Sequence, residues 1–186
     1  MKNLSRVAWN RFSRNAGADD RVSPHFRFSE LTISETAARL QIDNAFPDLQ
    51  SCRCAVYLCR NVMEPVRRKF CPYTPNSVFR SQALERALKN MPPGWTSNSQ
   101  HTLGQACDIQ IASVSTMELA KWVTKNLTFD QVILECHNAA RGRNSGWVHV
   151  SLLPSGMGVN RKHVLSYVMD PASGKYVYVD GLHETP

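Results

Sequence analysis

Apolar residues recur with helical spacing in the middle of the N-terminal half of the chain. Between residues 48 and 70 they fall every three or four positions and share one helical face. These residues are Leu49, Cys52, Val56, Cys59, Met63, Val66 and Phe70. Pro65 lies inside the pattern and has no N–H to donate, so we expect a helix over 48–70 with a kink or break at the proline.

Two capping sequences predict further helix starts. In TISE (32–35) and in STME (115–118), a hydroxyl residue precedes a glutamate by three positions, which is the spacing of a capping box. They predict helices that run to Leu40 and to about Leu127. One more helix is expected over residues 82–90, and the Pro-Pro-Gly sequence after it ends it.

Strand patterns cluster in the C-terminal half. Polar and apolar side chains alternate in 106–111 and 147–152, and residues 129–135 are mostly apolar. A last hairpin is predicted over roughly 164–169 and 175–180, with its turn in the PASG sequence between them. Helices first and strands late, joined by short links, favour an α+β fold with a small antiparallel sheet over a doubly wound parallel one.

Length and charge narrow the class of protein. The 186 residues suffice for one domain with its own core. No apolar run approaches the length of a membrane span, so we expect no integral membrane association. Lys and Arg outnumber Asp and Glu by 22 to 15, a net charge of +7 that attracts polyanions in general. Because no nucleic-acid reader motif accompanies this charge, we expect no nucleic-acid partner.

The N-terminal residues and the cysteines bear on the compartment. Residues 1–24 carry five basic residues without periodicity and lack the apolar core of a secretion signal, so they predict a basic arm ahead of a domain over 25–186. We therefore expect synthesis in a reducing cytoplasm. A chain of this size needs no bridges, and six free thiols are expected. The cysteines are Cys52, Cys54, Cys59, Cys71, Cys107 and Cys136.

Two segments set a metal-binding side chain among apolar strand residues. Asp108 alternates with apolar neighbours and therefore points away from their face, and His101 precedes it by seven residues. His149 alternates in the same way with two valines. Each of the three alone is more often an ordinary surface or core residue than a ligand. Together, two imidazoles and one carboxylate with a water molecule are typical of a catalytic zinc site.

Several motifs resemble the zinc D-Ala-D-Ala carboxypeptidase family, which includes phage endolysins and vancomycin-resistance dipeptidases. Residues 99–109 match its S-x-H-x-x-G-x-A-x-D signature, and WVHVS (147–151) is similar to the second signature, which supplies the last metal ligand. Further stretches follow the order usual in the phage branch. They are FRFSEL (26–31), QIDN (41–44), MEPVR (63–67), NSVFRS (76–81) and FDQVILE (129–135). The resemblance covers roughly residues 25 to 155.

The resemblance implies a ligand set and a fold. One Zn²⁺ would be held by His101, Asp108 and His149 on a small antiparallel sheet with helices packed behind it, as in Hedgehog/DD-peptidase-like proteins. It also implies a role for Arg80, because relatives usually read Asn-Ser-Gly-Tyr-Arg-Ser in that stretch. The guanidinium would bind a substrate carboxylate or the oxyanion that develops on attack. The alternative is a surface arginine.

The general base is the least defined part of the predicted site. Many members of the wider family place an acid three residues before the last histidine ligand, and that residue is Gly146 here. The best substitute is Glu135, since its strand should pair with the strand of His149 and bring the two opposite each other to within a residue or two. Its alternative is a surface carboxylate at a strand end. His137 and Asp130 are the reserve candidates.

These features predict a zinc-dependent carboxypeptidase or endopeptidase that hydrolyses an amide bond in peptidoglycan stem peptides. The resemblance implies a phage lysis enzyme, monomeric when free, made in the host cytoplasm and acting in the periplasm on the cell wall. The rival is a virion-associated structural or wall-binding protein with other virion proteins as partners, which keeps the fold without cutting. The bond that is cut stays open between L-Ala–D-Glu, D-Ala–diaminopimelate and D-Ala–D-Ala.

Overall fold

The computed structural model describes residues 17–185, and these contain five α-helices and five β-strands joined by short turns and loops. The helices are α1 (Glu35–Leu40), α2 (Leu49–Leu58), α3 (Glu64–Lys69), α4 (Gln82–Leu88) and α5 (Thr116–Asn126). The strands are β1 (Ala106–Ile109), β2 (Gln131–Glu135), β3 (Trp147–Ser151), β4 (His163–Asp170) and β5 (Lys175–Asp180). The predicted α+β class is confirmed.

The helix predicted over 48–70 contains a wide turn in its middle. A π-helical turn, Cys59–Met63, joins α2 to α3, and Pro65 follows in the first turn of α3. Because proline has no N–H, it forfeits one helical hydrogen bond, and the π turn takes up that loss without ending the helix. The predicted irregularity at Pro65 is therefore a π turn just before it and not a break.

Serine side chains cap three of the helices. The hydroxyl oxygens of Ser34, Ser81 and Ser115 each accept a hydrogen bond from the backbone N–H three residues further on. The predicted cap at Ser115 is confirmed. The predicted capping box at Thr32 is wrong, because Thr32 ends a preceding 3₁₀ turn and Ser34 caps α1 instead.

The strands form one mixed sheet in the order β1-β3-β2-β4-β5. Three of the four neighbouring pairs are antiparallel, as predicted, whereas β2 and β4 run parallel. The reason is the connection over 152–162, which carries the chain from β3 past β2 to the free edge of β2. Because β3 is antiparallel to β2, the strand that follows it runs in the direction of β2. The hairpin of β4 and β5 agrees with the prediction.

The two faces of the sheet differ in chemistry. Residues on one face are fully buried against α2 and α5 in the main core. They include Cys107, Ile109, Val132, Leu134, Val148 and Val150. Because side chains alternate along a strand, the residues between them point to the other face. That second face carries Asp108, His149 and Glu135, so the alternation of the sequence determines where the polar site forms.

The described residues include all six cysteines and the last part of the predicted N-terminal arm. All six cysteines are unpaired, as predicted. Residues 1–16 of the predicted basic arm lie outside the described residues. Val22, near the end of that arm, is buried, and its carbonyl accepts a hydrogen bond of 2.6 Å from Arg60 Nε. Within 17–185, no helix combines the length and the apolar character that a membrane span requires.

Candidate metal centre

Three buried side chains converge on the polar face of the sheet. The pairing of β1 with β3 sets Asp108 opposite His149, and a 3₁₀ turn, Gln100–Leu103, brings His101 to them. His101 Nε2 lies 3.2 Å from Asp108 Oδ1 and 3.2 Å from His149 Nδ1. His149 Nδ1 lies 3.1 Å from Asp108 Oδ1. The structure thus brings together the three residues predicted as ligands, here called the triad.

Gly104 allows the turn after His101. Its φ of +67° is a conformation that L side chains rarely adopt, and a Cβ atom there would lie 2.2 Å from the carbonyl oxygen of Ser51. The chain can therefore reverse against α2 within three residues of His101 and enter β1. This local geometry explains why His101 and Asp108 face each other across seven residues of sequence.

The triad fits a metal ion by its donor atoms and their spacing. His101 Nδ1 lies 2.6 Å from the carbonyl oxygen of Val78, which only accepts, so Nδ1 carries the proton and Nε2 points its lone pair at the cluster. Ligand atoms bound to zinc at about 2 Å in a tetrahedron lie about 3.3 Å apart. The three measured separations are close to that value. The triad can hold a metal, and its donor types are those that zinc takes.

Arg80 fixes the carboxylate of Asp108. Its Nη2 donates to Asp108 Oδ2, its Nη1 to Glu85 Oε1 at 3.2 Å and its Nε to Ser77 Oγ at 2.7 Å. Glu85 is fully buried and also pairs with Lys89 Nζ at 2.6 Å. The guanidinium thus leaves Asp108 Oδ1 to face the two histidines. Whether Arg80 also binds substrate or an oxyanion stays a prediction.

Asp108 is charged in this setting. Burial alone would raise its pKa, but the neighbouring His101 and His149 hold the pKa of Asp108 well below its usual range. A buried carboxylate that stays ionised is a strong ligand for a divalent cation, because it supplies negative charge without first losing a proton.

Glu135 shares a cavity of about 680 Å³ with the triad. It pairs opposite Trp147, two residues from His149, which is within the margin of the predicted register. A shift of two residues keeps the side chain on the same face. Burial, and after it the negative charge of Asp108, raises the pKa of Glu135 to about 7.

Comparison with known proteins adds the family. A family model for peptidase M15 matches residues 24–151, about two thirds of the chain, and this span includes the triad, Arg80 and Glu135. The chain belongs to the peptidase M15 family. Peptidases of this family depend on a metal, which agrees with the triad. No curated protein matches the chain.

In this M15 peptidase, Gly146 has no room for a side chain. Its φ is +67°, and a Cβ atom would lie 2.1 Å from the carbonyl oxygen of Glu135 and 2.7 Å from the backbone nitrogen of His137. Both obstacles are backbone atoms, which cannot rotate away. An acid at this position is therefore excluded by the turn that leads into β3.

The two reserve candidates for the base differ from Glu135. Asp130 lines the same cavity but is 1% exposed, and Arg161 donates to it at 2.5 Å. Burial alone would raise its pKa, but hydrogen bonds from Arg161 and Gln100 lower the pKa of Asp130 to about 2, so it accepts protons poorly at neutral pH. His137 is buried, with Nδ1 3.1 Å from the carbonyl oxygen of Ser145, and lies outside the described lining of the cavity.

Sequence reasoning missed four residues of the site. They are Glu85, Gln100, Arg161 and Tyr178, of which the last three line the cavity and Glu85 supports Arg80 from behind. Arg161 and Tyr178 follow the span that the family model matches. Their roles depend on contacts between residues that are far apart in the sequence. Arg161 and Asp130, for example, are separated by 31 residues, and no local sequence pattern predicts such a contact. Of the four, only Gln100 could have been suspected from the sequence, because it directly precedes the predicted ligand His101.

Proposed function

We propose that this M15 peptidase is a zinc-dependent hydrolase that cuts an amide bond in peptidoglycan stem peptides. One observation carries the proposal: the triad and Glu135, the residue with the raised pKa, share one cavity. Ligands, a candidate base and space for a peptide are the parts that metal-assisted amide hydrolysis needs.

His101 Nε2, Asp108 Oδ1 and His149 Nδ1 would hold the Zn²⁺. When bound, zinc polarises a carbonyl and lowers the pKa of a water molecule towards ~7. Two of the three ligands are held from behind, His101 by the carbonyl of Val78 and Asp108 by Arg80. These contacts fix the donor atoms before the metal arrives, which lowers the cost of binding it.

Glu135 acts as the proton shuttle in this proposal. Without the metal, this carboxyl group has a pKa of about 7, so it gains and loses a proton near neutral pH and can take one from the attacking water molecule. The same pKa makes the protonated group acidic enough to pass the proton on to the leaving amine. Arg80 adds positive charge at the cavity, where the oxyanion develops.

We further propose that the enzyme belongs to the carboxypeptidase and endolysin branch of the family and serves phage lysis. The sequence motifs support this setting, and the net charge of +7 favours attraction to an anionic cell wall. Peptidoglycan is then the partner, and the site of action is the host cell wall. Nothing in this setting requires a second subunit, so we expect a monomer.

The test combines metal analysis with a cleavage assay. The purified protein should bind one zinc per chain, and His149→Ala should lose most of it while Arg68→Gln, on the distant helix α3, should not. The zinc-loaded parent should release peptide fragments, identified by mass, from at least one of several purified peptidoglycan chemotypes. If the parent protein binds peptidoglycan and carries zinc but releases no fragment, the proposal of an enzyme fails, and that of a wall-binding virion protein takes its place.

A further inference from the structure

One wall of the metal cavity comes from residues that follow the family match. Leu153, Val159, Arg161 and Tyr178 all line the cavity, although the match ends at residue 151. Arg161 is the basic residue among these four. Its side chain is 56% exposed, so water or a ligand in the cavity can reach the guanidinium.

Arg161 is held in one orientation by Asp130. Its Nε lies 3.0 and 3.2 Å from the two carboxylate oxygens, and its Nη2 lies 2.5 Å from Oδ2. The backbone N–H of Arg161 donates to the same carboxylate at 2.9 Å. A planar guanidinium bound along one edge in this way presents its remaining N–H groups in a fixed direction.

Asp130 is itself fixed to the sheet and to the turn that carries the triad. Its backbone N–H donates to the carbonyl of Ser151 at 2.7 Å, and its carboxylate accepts from Gln100 Nε2 at 2.9 Å. Gln100 directly precedes His101. The position of Arg161 is therefore coupled through the hydrogen-bonded side chains of Asp130 and Gln100 to the turn that carries His101, as a substrate anchor requires.

The two arginines of the cavity differ in the number of carboxylates that pair with their guanidinium groups. Arg80 donates to the carboxylates of Asp108 and Glu85, whereas Arg161 donates to Asp130 alone. Among the described residues, Nη1 of Arg161 has no hydrogen-bond acceptor. An arginine with one edge occupied and the other open to a cavity is suited to a second carboxylate.

The strand order separates the two arginines. Arg80 contacts Asp108 on β1, while Arg161 precedes β4, and β3 with His149 lies between these strands. A peptide bound across the triad would therefore meet Arg80 on one side and Arg161 on the other.

We infer that Arg161 binds a free carboxylate of the substrate and so selects stem peptides that carry one near the scissile bond. This inference rests on the proposed function. Stem peptides offer a carboxylate on D-Glu, on diaminopimelate and at the C-terminus, and a guanidinium recognises all three by the same two-point hydrogen bonding. The experiment below decides which one is bound.

The test uses a series of synthetic stem peptides in which each carboxylate in turn is converted to a carboxamide. For the zinc-loaded parent, one of these changes should lower kcat/KM by about 10–100-fold, mostly through KM, because a charge-assisted pair is lost. In Arg161→Gln, kcat/KM for the free acid should fall by a similar factor, and amidation of that position should then have little further effect.

Two further variants separate binding from folding. The double variant Asp130→Asn/Arg161→Gln removes both charges together, so it avoids a buried unpaired carboxylate and should also lose the discrimination. Arg68→Gln is the matched control, because Arg68 is 62% exposed and pairs at 2.9 Å with Glu64, which is 4% exposed, away from the cavity. It should keep the full preference for the free carboxylate.

The outcomes distinguish the inference from the function on which it rests. If the zinc-loaded parent cleaves none of the peptides and no peptidoglycan, the proposed function itself fails. If the parent cleaves but treats acid and amide alike, or if both Arg161 variants retain the discrimination, the inference about Arg161 is overturned while the peptidase stands. Should Arg161→Gln fold poorly, the double variant decides.

Discussion

The two ends of β2 deliver one carboxylate each to the same cavity, and the two behave in opposite ways. Asp130, just before the strand, has a pKa of about 2, and Glu135, at its end, has a pKa of about 7. Both lose water on folding, which alone would raise both values. Burial remains the largest influence at Glu135, whereas hydrogen-bond donors outweigh it at Asp130, so the difference comes from the surroundings and not from the type of residue.

Hydrogen-bond donors surround the carboxylate of Asp130, whereas the negative charge of Asp108 faces the carboxylate of Glu135. Asp130 accepts hydrogen bonds from Arg161 and Gln100, which stabilise its charged form. Burial and the charge of Asp108 raise the pKa of Glu135, and His149, Arg80 and the Trp147 side chain offset this only in part. A carboxylate that never takes a proton can hold a cation in place, and one that titrates near neutral pH can move protons. The comparison supports the proposal of anchoring at one end of β2 and proton transfer at the other.

The largest effect that tests this assignment is on turnover. Glu135→Gln keeps the size of the side chain and removes its proton affinity, so turnover should fall by ~10²–10⁴-fold. Zinc content and binding to peptidoglycan should stay, because Glu135 is not a ligand. Undiminished cleavage by the variant would move the shuttle elsewhere. The carboxylate cannot be supplied from residue 146, so Glu135→Gln/Gly146→Asp should not regain activity.

The sequence predicts the triad well because strand alternation and two signatures both act over a few residues. Asp108 and His149 lie on the face opposite their apolar neighbours, and that face follows from a period of two. The α+β class follows from the same patterns. The convergence of the three side chains and the fold class agree with the structure because each needs only local information about the chain, while metal binding by the triad stays a prediction.

What the sequence does not predict depends on pairing between distant segments. The parallel contact of β2 with β4 follows from the path of the loop after β3, which no periodicity encodes. The observed partner of Glu135 lies two residues from the one predicted, at the limit of the predicted margin, because a count of residues does not determine how many of them a turn takes up. The partnership of Asp130 with Arg161 brings together residues from different motifs, so Asp130 was a plausible base until the structure showed its neighbour.

A smaller effect than the loss of turnover concerns stability at the Asp130 end. Folding lowers the pKa of the Asp130 carboxyl group, so its ionised form stabilises the folded protein. Asp130→Asn removes this contribution, and at pH 7 the variant should be less stable than the parent by about 2–3 kcal/mol. The folded pKa of about 2 lies below the ordinary value of 3.8, so this stability is present above pH ~4 and is lost as the pH falls towards 2. Urea unfolding of both proteins at several pH values measures it. A difference that does not shrink in acid would contradict the charge-based account.

The other stability effect has the opposite sign and belongs to the Glu135 end. The folded pKa of about 7 lies above the ordinary value of 4.5, so the protonated form favours folding, and this contribution is lost as the pH rises through 7. Glutamine mimics the protonated form at every pH. Metal-free Glu135→Gln should therefore be more stable than the metal-free parent at pH 8, by about 3 kcal/mol, and equal to it below pH 4.5. Thermal unfolding of the two metal-free proteins across this range tests the prediction, with Asp130→Asn as the variant that must change in the other direction. If both variants lose stability at pH 8, the two ends of β2 do not differ as their neighbours indicate, and Glu135 is held in its charged form like Asp130.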